Sequence, residues 1–218
     1  MDMKVYAEFK TLPNGQEFRR KTLIQIGSST KLIGSAILIN PGSAEPIRDI
    51  NQDADTVKKF YLDNHNIDIS DVDLAHWKLF KADHTMLRLI KIFNGSYISR
   101  ETELEGIIQL FNCSYYKEQS LNKARDKLLT RQDCIFDEHE LLSNAPVYFG
   151  WGDEGKYGVI NNIAEEIFKN YDLSLTPIYS EEFLENTFYH PTYINRSYNS
   201  NAKTQNLLNN FYEALHKV

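Results

Sequence analysis

The chain has little cysteine: its 218 residues include only Cys113 and Cys134. Two cysteines without metal-ligand spacing indicate free thiols and argue against a disulfide framework or a zinc site. Long apolar runs are also absent, since no stretch approaches the roughly 20 residues that a membrane helix requires. The first residues contain no apolar signal-peptide segment, so we expect a cytoplasmic protein with no membrane partner.

An excess of positive charge is lacking as well. The chain has 24 Lys and Arg against 30 Asp and Glu, which gives a formal net charge of −6. This balance argues against a protein that coats nucleic acid, although it leaves room for a few local phosphate contacts. We interpret the basic run Arg19–Lys21 as solvated surface charge. With 42% hydrophobic and 25% charged residues, the composition is that of a folded domain.

Strand-like and helix-like segments alternate along the chain. Residues 4–10 and 17–26 flank Pro13-Asn14-Gly15 and predict a β-hairpin. The polar stretch 46–82 is interpreted as an insertion. We therefore predict one α/β domain over residues 1–218, with a three-layer α/β/α fold and a central, mostly parallel four-stranded sheet after the hairpin. Core strands are predicted at 33–39, 106–111, 146–149 and 173–179, and helices at 84–93, 119–129, 158–170 and 201–217.

The first motif with chemical potential is Asn40-Pro41-Gly42, which ends the apolar run of residues 33–39. In open parallel sheets, ligands bind beyond the carboxyl ends of the strands, which is where this tripeptide is predicted to lie. The same tripeptide also suits a plain turn, because proline fixes φ and glycine permits close approach. Both interpretations stay open on these residues alone.

The second motif is His190-Pro191, which opens the loop Thr192-Tyr193-Ile194-Asn195-Arg196. A histidine before a rigid loop can serve as a hydrogen-bond donor or a proton carrier at a site. A lone histidine is more often structural, however, and the chain holds five others. His190 is therefore a candidate catalytic residue with a structural alternative.

Two further features require interpretation. Asn112 ends the predicted strand 106–111, and its amide could read the edge of a base or cap a turn. Gly150–Gly155 matches the G-x-G-x-x-G pattern of dinucleotide-binding folds. That pattern normally opens its domain, whereas only 63 residues follow it here, so we expect no cofactor. No metal-ligand spacing occurs, and we expect no metal.

The order of these features resembles the uracil-DNA glycosylase superfamily. One strand ends in Asn40-Pro41-Gly42, a second in Asn112 and a third in Trp151-Gly152, and a His-Pro loop and a terminal helix follow. The first motif is most similar to the mismatch-specific branch, in which asparagine replaces the aspartate of the main branch. Outside residues 46–82 the chain also resembles an uncharacterised bacterial family known only as a domain of unknown function. The residues that carry this second likeness are Asp83-x-Thr85, Leu110–Leu121 and Trp151-Gly152.

The resemblance implies hydrolysis of a base–sugar bond in DNA, with the target nucleotide flipped into a pocket. Asn40, with the backbone at Pro41, would position the attacking water, and His190 would stabilise the departing base. Tyr193 and Ile194 would fill the gap in the duplex. The other residues implied to contact the base are Phe111, Asn112, Tyr115 and Gly152. Those implied to contact DNA elsewhere are Gly42, Ser43, Lys156, Thr192, Arg196 and Lys203.

Departures from the family pattern bear on the substrate. Asn40 cannot act as a charged base, so water activation should be weak, and Thr192 replaces the usual serine. The stretch 46–82 follows the first motif directly and could reshape the pocket. We therefore expect a modified or hypermodified pyrimidine, for example in phage DNA, rather than uracil. The alternatives are an inactive module of the same fold that binds DNA, a nucleotide or a protein, and a nucleotide-using enzyme built on Gly150–Gly155.

Overall fold

The computed structural model describes residues 2–118, 135–142, 145–194 and 201–216. Over these residues the protein is a mixed α/β structure built on one seven-stranded sheet, whose strand order is β4-β5-β1-β2-β6-β3-β7. The strands are β1 Met3–Thr11, β2 Glu17–Ile26, β3 Leu32–Leu38, β4 Pro46–Asp49, β5 Trp77–Phe80, β6 Gly106–Asn112 and β7 Val147–Phe149.

Helices lie against both faces of this sheet. On one face, Phe211 of the last helix contacts Phe93 and Tyr148. On the other, Nε2 of His65 lies 3.1 Å from Oε1 of Gln109, and Phe168 packs on Phe149. The α-helices of the described residues are α1 Ala54–His65, α2 His84–Phe93, α3 Gly152–Tyr157, α4 Asn161–Lys169 and α5 Ala202–His216. None of them is long and apolar enough to cross a membrane.

The prediction of a four-stranded, mostly parallel sheet is wrong. Only β3 pairs in parallel, with β6 and β7, whereas the other four pairings are antiparallel. The predicted hairpin forms as β1 and β2, but β2 also pairs with β6 and so joins the main sheet. Residues 46–82 extend the same sheet, because they supply β4, β5 and helix α1.

The predicted strand at 173–179 does not form. The segment begins with the 3-10 turn Leu173–Leu175, and its side chains satisfy the free edge of β7. The hydroxyl of Thr176 accepts a hydrogen bond from the backbone N–H of Val147 at 2.9 Å, and that of Tyr179 accepts one from Phe149 at 3.0 Å. Side-chain oxygens thus replace the backbone carbonyls of an eighth strand, which protects this edge from pairing with another chain.

Three of the predicted helices are found, two of them with adjusted bounds. Helix α2 has the predicted limits, and α5 covers nearly all of 201–217. The predicted helix 158–170 begins at Asn161, since a separate short helix, Gly152–Tyr157, comes before it. The predicted helix 119–129 lies outside the described residues.

Candidate active site

A cavity of about 260 Å³ lies at the carboxyl ends of the parallel strands β3 and β6. Asn40 follows the end of β3, and Asn112 is the last residue of β6. Helix α2 and the short turn Pro191–Tyr193 close the cavity from one face of the sheet. The predicted site residues that line it are Asn40, Gly42, Asn112, His190, Thr192 and Tyr193.

The amide of Asn40 has a fixed orientation. Its Nδ2 donates to the backbone carbonyl of Glu118 at 2.7 Å and to that of Pro41 at 3.1 Å. Because both partners are acceptors, the nitrogen must be the atom that faces them. No described residue donates a hydrogen bond to Oδ1 of Asn40. The side chain therefore offers an acceptor to a ligand or a water in the cavity.

His190 has a defined tautomer as well. Its Nδ1 accepts a hydrogen bond from the backbone N–H of Thr192 at 3.3 Å, and the Thr192 hydroxyl lies 2.7 Å from the same nitrogen. Since a backbone N–H can only donate, Nδ1 is unprotonated and the proton of the neutral ring is on Nε2. In the described part of the chain no group bonds to Nε2. His190 thus presents one N–H donor.

Burial keeps this histidine neutral. Desolvation lowers the pKa of His190 to about 4, although the negative charge of Asp83 opposes the shift. The loop is anchored on both sides of the ring: the Tyr148 hydroxyl donates to the carbonyl of Tyr189 at 2.6 Å, and Nη1 of Arg88 donates to the carbonyl of Thr192 at 2.6 Å. Imidazole rather than imidazolium is therefore the form present at neutral pH.

Asn112 contributes a second donor to the cavity. The residue is 2% exposed, and its Nδ2 has no hydrogen-bond partner among the described residues. A buried donor without a partner costs about 1–3 kcal/mol. Such a group at the wall of a cavity is suited to a ligand oxygen, because a ligand would supply the missing acceptor.

The carboxylate of Asp83 also lines the cavity, although no role was predicted for it from the sequence. Its Oδ1 caps helix α2 by accepting from the backbone N–H of Met86 at 2.9 Å. No described residue hydrogen-bonds to Oδ2. A Cβ on residue 42 would lie 2.9 Å from this oxygen, so Gly42 leaves the space that Oδ2 occupies. The sequence shows an aspartate before the apolar face of α2, but it does not show that this aspartate lines the same cavity as Asn40.

Arg19 was interpreted as solvated surface charge, and this interpretation is wrong: the residue is 1% exposed and lines the cavity. A β-bulge is the cause. The β1–β2 register shifts between Tyr6 and Glu8, where β2 contains one extra residue and Lys21 has a φ of 51°. The extra residue reverses the alternation of side chains, so Arg20 faces Glu8, with which it forms an ion pair, and Arg19 points to the opposite face.

The pairing of β2 explains why that opposite face is the wall of the cavity. Strand β2 runs antiparallel to β6, with Thr22 opposite Leu110, so the first residues of β2 lie beside the carboxyl end of β6. Arg19 therefore shares a face with Leu110 and Asn112, both of which line the cavity. Among the described residues, no hydrogen-bond partner is present for its Nε and Nη1 atoms.

Three predicted residues point away from the cavity. Phe111 alternates with Leu110 and Asn112 along β6 and packs on Phe136 on the other face. The Tyr115 hydroxyl donates to Glu138 at 2.5 Å, so this ring is also engaged elsewhere. Ile194 is 0% exposed and belongs to the core, whereas Tyr193 is 61% exposed beside the cavity. Of the two residues predicted to fill a gap in the duplex, only Tyr193 is accessible.

The remaining predicted residues lie at the margins. Pro41 is buried and its carbonyl is used by Asn40, whereas Ser43 is exposed next to the cavity. Lys156 donates to the carbonyls of Leu184 and Asn186 at 2.6 and 2.8 Å. Gly152 lines a neighbouring cleft, and Lys203 is exposed in the first turn of α5. Arg196 lies outside the described residues.

The G-x-G-x-x-G segment is explained by packing. A Cβ at Gly155 would lie 2.1 Å from Cδ1 of Trp151, and one at Gly150 would lie 2.7 Å from Cδ2 of Leu38. The glycines therefore make room for side chains of the core. Within the described ranges, no group of three or more His, Cys, Asp or Glu residues is arranged to hold a metal ion.

Comparisons with known proteins returned no relative. No protein-family profile, curated protein or solved structure matches the chain. The likeness to the uracil-DNA glycosylase superfamily accordingly stays a prediction made from short motifs. What the structure adds is the position of those motifs, since Asn40, Asn112 and His190 line one cavity.

Proposed function

We propose that the protein is a monofunctional DNA glycosylase that hydrolyses the N-glycosidic bond of a modified pyrimidine. The observation that carries this proposal is that Asn40, Asn112 and His190 line one cavity of about 260 Å³. The three residues come from segments that are far apart in the chain, and each offers a polar atom without a partner among the described residues. A cavity with a few convergent polar groups is the usual form of a small-ligand site.

His190 would act on the leaving group. As the bond to the sugar breaks, its electron pair moves to the base, and negative charge develops on a ring oxygen. A neutral imidazole with its proton on Nε2 can donate to that oxygen without giving up the proton. One such donor is typically worth about 3 kcal/mol in the transition state. The lowered pKa of His190 and the contacts of Nδ1 with Thr192 support this role.

Asn40 and Asp83 together would handle the water. Oδ1 of Asn40 can accept a hydrogen bond from a water and hold it towards the sugar carbon, but an amide cannot take up its proton. Oδ2 of Asp83 lies against Gly42 at the same cavity and can. In the resulting step, the water oxygen bonds to the sugar carbon and its proton passes to the carboxylate. Asp83 would thus supply the charge that position 40 lacks.

The nucleotide would reach the cavity by flipping out of the duplex. Tyr193 is exposed, its ring centroid lies 5.9 Å from that of His190, and it would fill the gap that the base leaves. Asn112 would read an oxygen of the base. In this function, β6, β3 and β7 would form the parallel core of a three-layer glycosylase-like domain. The domain would act on DNA in the cytoplasm, in repair or in defence against phage.

The proposal is tested by incubating the protein with genomic DNAs that carry different natural base modifications. Abasic sites are scored by strand cleavage in alkali. We expect cleavage of at least one modified DNA and none of unmodified DNA. His190→Ala should slow it by about a hundredfold, whereas His84→Ala should not, because His84 is exposed at the start of α2 and does not line the cavity. Equal cleavage by both variants would contradict the proposal.

A second candidate is an inactive module of the same fold that binds DNA, a nucleotide or a protein. Two observations favour it: position 40 is an amide, and the net charge is −6. This candidate predicts measurable affinity for modified DNA or a nucleotide with no abasic product from any DNA. Alkaline cleavage and a binding titration on the same DNA samples separate the two functions.

A further inference from the structure

Arg19 is a buried charge without a partner. The residue is 1% exposed, and in the described part of the chain its guanidinium has no ion pair. Its Nε and Nη1 atoms also lack hydrogen-bond partners. Burial lowers the pKa of Arg19 only to about 10, so the group remains positively charged at neutral pH. A buried charge that no group compensates costs several kcal/mol, which a bound anion would offset.

The nearby acidic groups do not meet this need. Asp83 and Glu45 act on Arg19 through space, but neither forms an ion pair with it. Asp83 comes from the helix side of the cavity, where one of its oxygens caps α2. The face of the Phe80 ring, 5.4 Å from the guanidinium carbon, offers only a weak cation–π contact. The fork of N–H donors is left for a ligand.

Asn112 provides a second hydrogen-bond donor beside Arg19. Nδ2 of Asn112 belongs to the same face of the sheet, lines the same cavity and has no described acceptor. A ligand edge that satisfies both residues must carry several hydrogen-bond acceptors. A guanidinium matches two oxygens of one carboxylate or phosphate in a bidentate arrangement.

We propose that Arg19 is a specificity-determining residue that takes an oxyanion carried by the target base, so that the preferred substrates are pyrimidines with an acidic substituent such as a carboxylate. Its burial places the guanidinium at the depth of the base, whereas the phosphates of a DNA backbone stay outside the cavity. This inference rests on the proposed function for the nature of the ligand, but its binding step can be measured without catalysis.

The experiment is a calorimetric titration of the protein with the free bases uracil and 5-carboxyuracil, and with inorganic phosphate. We expect 5-carboxyuracil to bind at least about tenfold more tightly than uracil, the factor that corresponds to about 1.4 kcal/mol. Arg19→Gln should remove this preference. Arg20→Gln is the matched control, because it removes a charge from the adjacent position on the opposite face, and it should keep the preference.

Three outcomes would overturn the inference: equal affinity of the wild-type protein for the two bases, a preference that survives Arg19→Gln, or tight binding of phosphate with no preference for the acidic base. The wild-type comparison requires no variant, so poor folding of Arg19→Gln cannot rescue the inference. If the acidic base is preferred but no DNA yields abasic sites, the anion site stands and the glycosylase proposal fails. If base is released but acidic substituents are not preferred, the glycosylase proposal stands and the anion site fails.

Discussion

The backbone N–H of Thr192 donates to Nδ1 of His190 at 3.3 Å, and the hydroxyl of the same threonine lies 2.7 Å from that nitrogen. These two contacts from Thr192 fix which ring nitrogen of His190 carries the proton. Because Nδ1 is held as an acceptor, Nε2 is the atom that can donate to a ligand in the cavity. The chemistry proposed for His190 depends on this local contact.

Replacing the threonine hydroxyl tests the contact. Thr192→Val removes the O–H donor and retains the shape, so the ring loses part of its orientation. We expect base release to slow by about tenfold, a typical effect of losing a group that orients a functional histidine. Thr192→Ser keeps the hydroxyl and should retain most of the wild-type rate. Equal rates for the valine and serine variants in single-turnover assays would contradict this role.

The pKa of His190, lowered to about 4, predicts a particular pH dependence of stability. Above the ordinary histidine pKa of about 6.5, the ring is neutral in both states and contributes nothing. As the pH falls below that value, the unfolded chain binds a proton that the folded protein does not, so the free energy of unfolding falls. We expect a loss of about 2 kcal/mol between pH 7 and pH 5 from this residue alone.

Urea unfolding of the wild-type protein and His190→Ala at both pH values isolates that contribution. The variant should lose about 2 kcal/mol less on acidification than the wild-type protein does. Because His190 stays neutral over this range, it should not slow base release by the wild-type protein as the pH falls from 8 to 5.5. A decline centred near pH 6.5 that His190→Ala removes would show that the ring titrates normally.

Asp83→Asn tests the proposed proton acceptor without removing the helix cap. Asparagine caps helices about as well as aspartate, so its Oδ1 can still accept from the N–H of Met86. Loss of the carboxylate should slow base release by about a hundredfold or more, the lower bound for a general base. Circular dichroism and the melting temperature should stay near the wild-type values. Unchanged turnover in the folded variant would remove Asp83 from the mechanism.

Asn40→Asp should not create a better enzyme. Nδ2 of Asn40 donates to the carbonyls of Pro41 and Glu118, and a carboxylate would place an oxygen against both acceptors. We expect this variant to be less stable than Asn40→Ala, and less stable than the wild type by about 1–3 kcal/mol at pH 7. Urea unfolding provides the comparison. An aspartate variant as stable as the wild type would show that these two hydrogen bonds do not hold the loop.

The sequence predicted local features better than the sheet. The apolar runs at 33–39 and 106–111 are strands β3 and β6, and the hairpin and helix α2 are present. Periodicity reports which residues are buried together, but it carries no information on which strands pair. The pairing of β2 with β6 and of β5 with β1 was therefore missed. Thr176 and Tyr179 were assigned to a strand because their pattern is strand-like, although they satisfy the edge of β7 with hydroxyl groups.

In the candidate site, too, some residues could be predicted from the sequence and others could not. The convergence of Asn40 and His190 was expected from the resemblance to the uracil-DNA glycosylase superfamily, and both residues line one cavity. The position of Arg19 at the cavity was not predicted, because a one-residue bulge decides which face of β2 carries its side chain. No residue pattern in the sequence predicts that bulge. The same dependence on face excluded Phe111, whose neighbours Leu110 and Asn112 line the cavity in its place.

The most direct measurement of the central claim is the release of free base from modified duplex DNA, followed by mass spectrometry under single-turnover conditions. The wild-type protein and His84→Ala should release the base at similar rates, and His190→Ala should be slower by about a hundredfold, as expected for the loss of one donor to a developing anion. Release at the same rate by all three proteins would contradict the account, as would folded wild-type protein that binds every modified DNA and releases no base.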